Sequence, residues 1–192
     1  VEATECSTPI SFGYIGSVSP IEGLDLMARV WFNLENKGIE NHFHVYGSGS
    51  YFSNLKALIE ELNLKQFHLH GSVNPSEINT AFNKVDAIVN PRIKSKITDT
   101  VTPLKPLEAM AYSKLVIASD VGGMKELIEH NKTGLLFKAD NTDELEKCII
   151  QIISEGIPSS IVIDAKDYVI ENKSWLQNAG KYKRYYTELI NS

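Results

Sequence analysis

Short apolar runs alternate with longer stretches whose apolar positions recur every three or four residues, and this holds for most of the chain. The alternation is that of strands interleaved with amphipathic helices, hence of βαβ units and a parallel sheet. Runs over 10–15, 42–46, 67–70, 87–89, 115–119 and 135–137 read as six strands. Between them, Leu24, Met27, Ala28 and Trp31 mark one helical face, and Leu55, Leu58, Ile59 and Leu62 a second. Shorter helices are expected over 76–84, 106–112 and 124–130, and 92–101 reads as a polar loop. Beyond the last strand, Leu145, Cys148, Ile149 and Ile152 form one stripe, and Trp175, Ala179, Tyr182, Tyr186 and Leu189 another. The expected fold is α/β: a doubly wound, Rossmann-like, six-stranded parallel sheet with helices on both faces over 10–156. A flexible start over 1–9 precedes it, and a helical tail over 157–192 packs on its flank.

With 192 residues, 43% hydrophobic and 22% charged, the chain suits one globular domain with a full core. Its formal net charge of −5 opposes a general nucleic-acid role, which needs a basic face to neutralise phosphates. The cluster Tyr182, Tyr185 and Tyr186 beside Lys181, Lys183 and Arg184 is read as core-facing aromatics with a cationic outer face. Cys6 and Cys148 lack the spacing of a zinc site or redox motif, which fits a reduced, cytoplasmic compartment. No apolar run approaches the roughly 20 residues that span a bilayer. The chain opens without methionine and reaches its first strand within about a dozen residues, so a fragment of a longer protein is expected.

In open parallel sheets ligands bind beyond the carboxyl ends of the strands, at the point where strand order reverses. The strand-to-helix turns Gly16-Ser17, Gly47-Ser48-Gly49, Gly71-Ser72, Asn90-Pro91-Arg92 and 102–108 are therefore expected to face one crevice. Gly47-Ser48-Gly49 begins like a dinucleotide fingerprint but lacks its third glycine, so NAD is a weak candidate. Thr102, Pro103 and Pro106 suit a helix's first turn, whose free amides and positive end attract an anion. Lys105 adds a full charge there, Arg92 offers a fork suited to phosphate, and Glu108 could accept hydrogen bonds from a vicinal diol. An anion site beside a diol acceptor suggests a nucleoside diphosphate. His42, His44, His68 and His70 place paired imidazoles on one strand face, but without the convergent third and fourth ligands of a metal site.

The run TPLKPLEAMAYSKLVIASDVGG, Thr102 to Gly123, resembles the donor-binding signature of glycosyltransferase family 4, whose enzymes have the two-domain GT-B fold. The wording TPLKPLEAMA is similar to that of a bacterial subgroup concerned with polysaccharide biosynthesis. The resemblance covers roughly 10–141, and it implies the C-terminal, donor-binding half of such an enzyme. In the family a glutamate stands eight positions before the one matching Glu108. Here that position is Thr100, with Asp99 beside it as a candidate substitute. The family's usual cationic pair on the diphosphate is replaced by Ser17 and Glu22; a carboxylate at Glu22 would repel phosphate, leaving Lys105 and Arg92 as candidate catalytic cations.

The donor-binding set implied is Gly16, Ser17, Gly47, Gly49, Asn90, Arg92, Asp99, Thr100, Thr102, Pro103, Leu104, Lys105 and Glu108. The donor would be a UDP- or GDP-hexose acting as substrate, with no cofactor and no metal, since Thr98-Asp99-Thr100 is not an Asp-x-Asp pair. The partners implied are that nucleotide-sugar and an N-terminal acceptor-binding domain of the same chain, but no nucleic acid. That domain, on which the tail could also pack, could bring the protein to the inner face of the membrane. The fragment alone would bind donor without transferring sugar. A GT-B sugar-nucleotide epimerase and a degenerate, non-catalytic nucleotide-binding domain are the alternatives.

Overall fold

The chain enters its sheet at β1 (Phe12–Ile15) and alternates strand with helix thereafter: α1 (Leu24–Asn36), β2 (Phe43–Tyr46), α2 (Phe52–Glu61), β3 (Phe67–Gly71), α3 (Ile78–Asn83) and β4 (Ala87–Asn90). The second half runs α4 (Lys96–Thr100), α5 (Lys105–Ala111), β5 (Leu115–Ser119), α6 (Gly122–Lys125), β6 (Leu135–Phe137), α7 (Thr142–Glu155), α8 (Ser159–Asn172) and α9 (Trp175–Ile190). The computed structural model describes residues 9–173 and 175–190. Cys6, the side chains of Trp175 and Lys181, and most of the expected flexible start lie outside the described residues.

The six strands form one parallel sheet in the order β3-β2-β1-β4-β5-β6. All strands point the same way, so every strand-to-helix turn lies along one edge, and the order reverses between β1 and β4. Alternate residues face opposite layers. Phe12, Phe43, Val45 and Phe67 face α1, α2 and α7, while Ile88, Val116 and Ala118 face the layer holding α3, α5, α6 and α8.

The α1 layer is anchored by Trp31, which is fully buried against Phe12, Phe43 and Phe67 at ring-centroid distances of 5.7, 4.9 and 6.4 Å. Its indole N–H donates to the Asn41 carbonyl at 2.8 Å, so this ring carries no unmet donor into the core. Burying each such side chain stabilises the fold by about 1.5–3 kcal/mol. On the other face, Ala109 and Met110 of α5 share a cluster with Ala165, Tyr168 and Val169 of α8. The eighth helix therefore holds α5, and with it the 102–108 turn, against the sheet.

Four local expectations are corrected. Residues 92–101 are not an irregular loop: Ser95 and Thr98 form a reciprocal capping box that starts α4. The helix expected over 124–130 is the single turn α6, begun two residues earlier by the Gly-Gly pair. α8 was not distinguished within the tail, because Ile163 and Ile170 are exposed while Ile161 and Ala165 are buried, which smears the apolar stripe. Tyr182, Tyr185 and Tyr186 are not core-facing: they are 63, 54 and 64% exposed along α9.

Candidate functional site

At the reversal between β1 and β4 the chain assembles a buried ionic cluster. The turn over 20–22 is tied to the segment after β4 by a hydrogen bond from the Ile93 amide to the Ile21 carbonyl at 3.1 Å. Gly23, which begins α1 at φ 68°, allows that approach: a side chain there would overlap the Pro91 carbonyl. The Ser119 hydroxyl donates to the Arg92 carbonyl at 2.7 Å and fixes the segment from β5. Glu22 and Arg92 are thereby brought together, 4 and 7% exposed, with the guanidinium Nε and Nη2 donating to the two carboxylate oxygens at 3.3 and 3.1 Å. Lys105, from the first turn of α5, places Nζ 2.8 Å from the same carboxylate and 2.5 Å from the Tyr14 hydroxyl. The Tyr14 hydroxyl in turn donates to the Ser17 carbonyl at 2.6 Å.

Burial alone would raise the Glu22 carboxyl, but the hydrogen bonds from Arg92 and the charge of Lys105 outweigh it and hold it below the ordinary range. Lys105 is lowered, by burial first and by Arg92, with Glu22 opposing. Burial and then the Glu22 charge push the Tyr14 phenol up. The sequence suggested a lone carboxylate at Glu22 that repels phosphate. Instead its charge is spent on two cations, and the set Glu22, Arg92 and Lys105 carries one net positive charge.

The rest of the 102–108 turn is laid out around this cluster. Pro103 is buried, Leu104 is 63% exposed, and the Thr102 hydroxyl bonds Glu126. Glu108 lies one turn beyond Lys105, on the exposed face of α5. Its charge acts on Lys105, and its carboxylate makes no side-chain hydrogen bond among the described residues. Asp99 is exposed on α4, and its carboxylate accepts from the Gly122 amide at 2.9 Å, tying α4 to the start of α6. The Thr100 hydroxyl is turned back onto the Lys96 carbonyl at 2.7 Å.

The glycine turns meet at the neighbouring strand ends. A Cβ on Gly47 (φ +148°) would overlap the Gly16 carbonyl, and one on Gly49 would overlap the Val18 carbonyl. A Cβ on Gly16 would stand 2.5 Å from Lys105 Cε, so that glycine opens the path by which the lysine crosses the end of β1. Gly16, Ser17, Gly47 and Ser48 line a cleft of about 300 Å³ with Ile15 and Ile78. Asn90 ends β4 wholly buried, and neither atom of its amide has a partner. A larger groove of about 640 Å³ lies between the α6–β6 connection and α8. Glu126, Glu129, Asp164, Asp167 and Glu171 outnumber Lys125 and Lys132 on its walls, which disfavours an anion, so the cleft at the strand ends is the candidate.

The four strand histidines share one sheet face. His42 and His68 approach to 3.0 Å between ring nitrogens, His44 and His70 to 2.9 Å, and the Tyr46 ring stacks on His70 at 4.3 Å. Among the described residues no group of three or more His, Cys, Asp or Glu side chains is placed to hold a metal ion. Tyr14 was missed from sequence, although a buried phenol two positions before a strand-ending glycine is a visible signal. Glu22 was seen with the wrong sense, and the apolar neighbours in Pro20-Ile21-Glu22-Gly23 were the available hint that it is buried.

A family model described as glycosyl transferases group 1 matches residues 2–177. An uncharacterized glycosyltransferase of Methanocaldococcus jannaschii is 26% identical over 181 residues, 93% of this chain and 48% of that protein. The poly(ribitol-phosphate) alpha-N-acetylglucosaminyltransferase of Staphylococcus aureus is 26% identical over 166 residues, 84% of this chain and 32% of that protein. The chain thus spans about half the length, or less, of the curated relatives it matches. Among solved structures, Anabaena Alr3699/HepE in complex with UDP-glucose superposes with a TM-score of 0.80 at 18% identity, over 94% of this chain and 49% of that one. The C-terminal domain of a group 1 glycosyl transferase (LpcC) from Francisella tularensis gives 0.72 at 20% identity, over 86% of this chain and 87% of that one. These likenesses show the Rossmann-like α/β fold of one domain of such enzymes.

Proposed function

The chain belongs to the group 1 glycosyl transferases, and from that premise we propose that it is the donor-binding half of an enzyme that moves a hexose from a UDP- or GDP-sugar to a saccharide or lipid-linked acceptor. The observation that carries the reading is the meeting, at the sheet's reversal point, of a proline-started helix turn, a cation and an exposed carboxylate one turn on. The diphosphate lies against Lys105 and the first amides of α5, and Glu108 accepts hydrogen bonds from the ribose hydroxyls. Arg92 contributes its charge through Glu22, whose carboxylate it shares with Lys105. Gly16, Gly47 and Gly49 bring backbone close to the nucleotide, and Asn90 is an amide without a partner at the strand end.

Departure of the nucleoside diphosphate develops negative charge on the leaving oxygen. Lys105, backed by Arg92, stabilises that charge while the sugar becomes oxocarbenium-like. Retention of anomeric configuration and membership of the TPLKPLEAMA subgroup belong to this reading. So do acceptor residues on a further domain of the same chain, a cytoplasmic site of action at or near the membrane, and donor binding without a divalent metal. The complexes of structural neighbours with UDP and UDP-glucose support the choice of ligand. Calorimetric titration with UDP, GDP and ADP tests it: one of the first two binds and Glu108→Ala weakens that binding at least tenfold. Equal affinity in the variant would remove Glu108 from the site.

A further inference from the structure

We propose that Glu22 is a positioning residue: its buried carboxylate, anchored by Arg92, fixes the Lys105 ammonium across the end of β1, beside Gly16 and the cleft. Four observations support it. The carboxylate is 4% exposed and accepts from both cations, at 3.1 and 3.3 Å from Arg92 and 2.8 Å from Lys105. Arg92 is itself clamped, since its carbonyl takes the Ser119 hydroxyl and its neighbour Ile93 bonds the turn that carries Glu22. Gly16 leaves the lysine its path, and the Tyr14 hydroxyl, donating to Ser17, gives Nζ its second oxygen. Finally, the lysine is three-quarters or more covered, with only 20% of its side chain exposed, and stands near a guanidinium. Without Glu22, burial and that like charge would act on the ammonium with only Glu108 near to oppose them.

The role therefore concerns both place and charge, and its consequence for catalysis rests on the donor-site reading. A buried carboxylate between two cations leaves a net charge of one to meet a diphosphate. It also opposes the burial and the Arg92 charge that lower the lysine.

The test uses a readout that a purely structural role would not move. Lysine amines are reductively methylated with ¹³C, and the Lys105 resonance, assigned by its loss in Lys105→Arg, is followed with pH. The midpoint in the unaltered protein is the reference. In Glu22→Gln the titration midpoint falls by at least one pH unit, and Glu22→Asp restores most of it. An unchanged midpoint in Glu22→Gln overturns the proposal. If that variant does not fold, Glu22→Gln/Arg92→Met, which removes both members of the buried pair, is compared with Arg92→Met alone under the same criterion. In parallel, UDP or GDP affinity of the Glu22 variant should fall at least tenfold between pH 6.5 and 9, against less than threefold for the unaltered protein. A shifted midpoint with nucleotide bound by neither protein leaves Glu22 as the residue that positions Lys105 and defeats the donor reading instead.

Discussion

Two polar clusters sit on the same sheet and solve burial in opposite ways. At the β1–β4 reversal, Glu22 stands between Arg92 and Lys105, and the set stays ionised because each charge has an opposite neighbour within hydrogen-bond reach. At β2 and β3, His42, His44, His68 and His70 stack on one another and on Tyr46, and the charge of Glu35 on His68 is outweighed by burial and His42. Burial and the neighbouring imidazoles there push His44 down to about 4, and they lower His68 and His70 as well. One acid, placed at the right turn, decides whether a half-buried group of bases can present charge to an anionic ligand. The first cluster keeps one net positive charge; in the second, burial and neighbouring imidazoles disfavour the charged forms of His44, His68 and His70.

The largest expected effect is on the ionic side. Arg92→Met strands a buried carboxylate with one cation, and removing one partner of a buried pair costs about 3–5 kcal/mol. Thermal unfolding should drop by roughly 10 °C, given about 2–4 °C per kcal/mol for a chain of this size. A drop under 2 °C would show that the pair is dispensable. Next comes Gly47→Ala, where a left-handed backbone and an overlap with the Gly16 carbonyl together should cost about 2–3 kcal/mol, read from the urea midpoint.

Glu108→Ala comes third. It should leave stability within about 0.5 kcal/mol, since the side chain is exposed, while weakening nucleotide binding at least tenfold, about 1.4 kcal/mol. The histidine ladder gives the smallest effect. Imidazoles held below their ordinary value stabilise the fold only while neutral, so their contribution is complete above about pH 6.5. For His44 it declines as pH falls and is gone below about 4, and His68 and His70 act in the same direction. The melting temperature should fall by several degrees from pH 7 to 4.5, and more shallowly in His44→Gln/His70→Gln. Equal slopes would show that other groups carry the acid sensitivity.

Six strands were legible as short apolar runs bounded by turn residues, and the long helices α1 and α2 by their 3.6-residue period. α4 was not, since a five-residue helix started by a Ser95–Thr98 box has no room for periodicity. α8 escaped as a separate helix because two of its isoleucines face outward. At the site, the motif TPLKPLEAMA pointed to Lys105 and Glu108. The roles of Glu22 and Arg92 depend on a contact across 70 residues, which no local pattern encodes. Tyr14 is similar: its strand was visible, but its hydroxyl's place beside Lys105 needs the α5 turn folded over the end of β1.

The central claim is that Glu108 holds the pentose of a nucleoside diphosphate whose phosphates meet Lys105. Its most direct test compares the affinities of UDP, or of GDP if that is the base taken, and of the 2′,3′-dideoxy analogue, for the unaltered protein and Glu108→Ala. If Glu108 holds the pentose, removing the hydroxyls costs the unaltered protein at least tenfold in affinity and the variant almost nothing. The same loss in both proteins would contradict it.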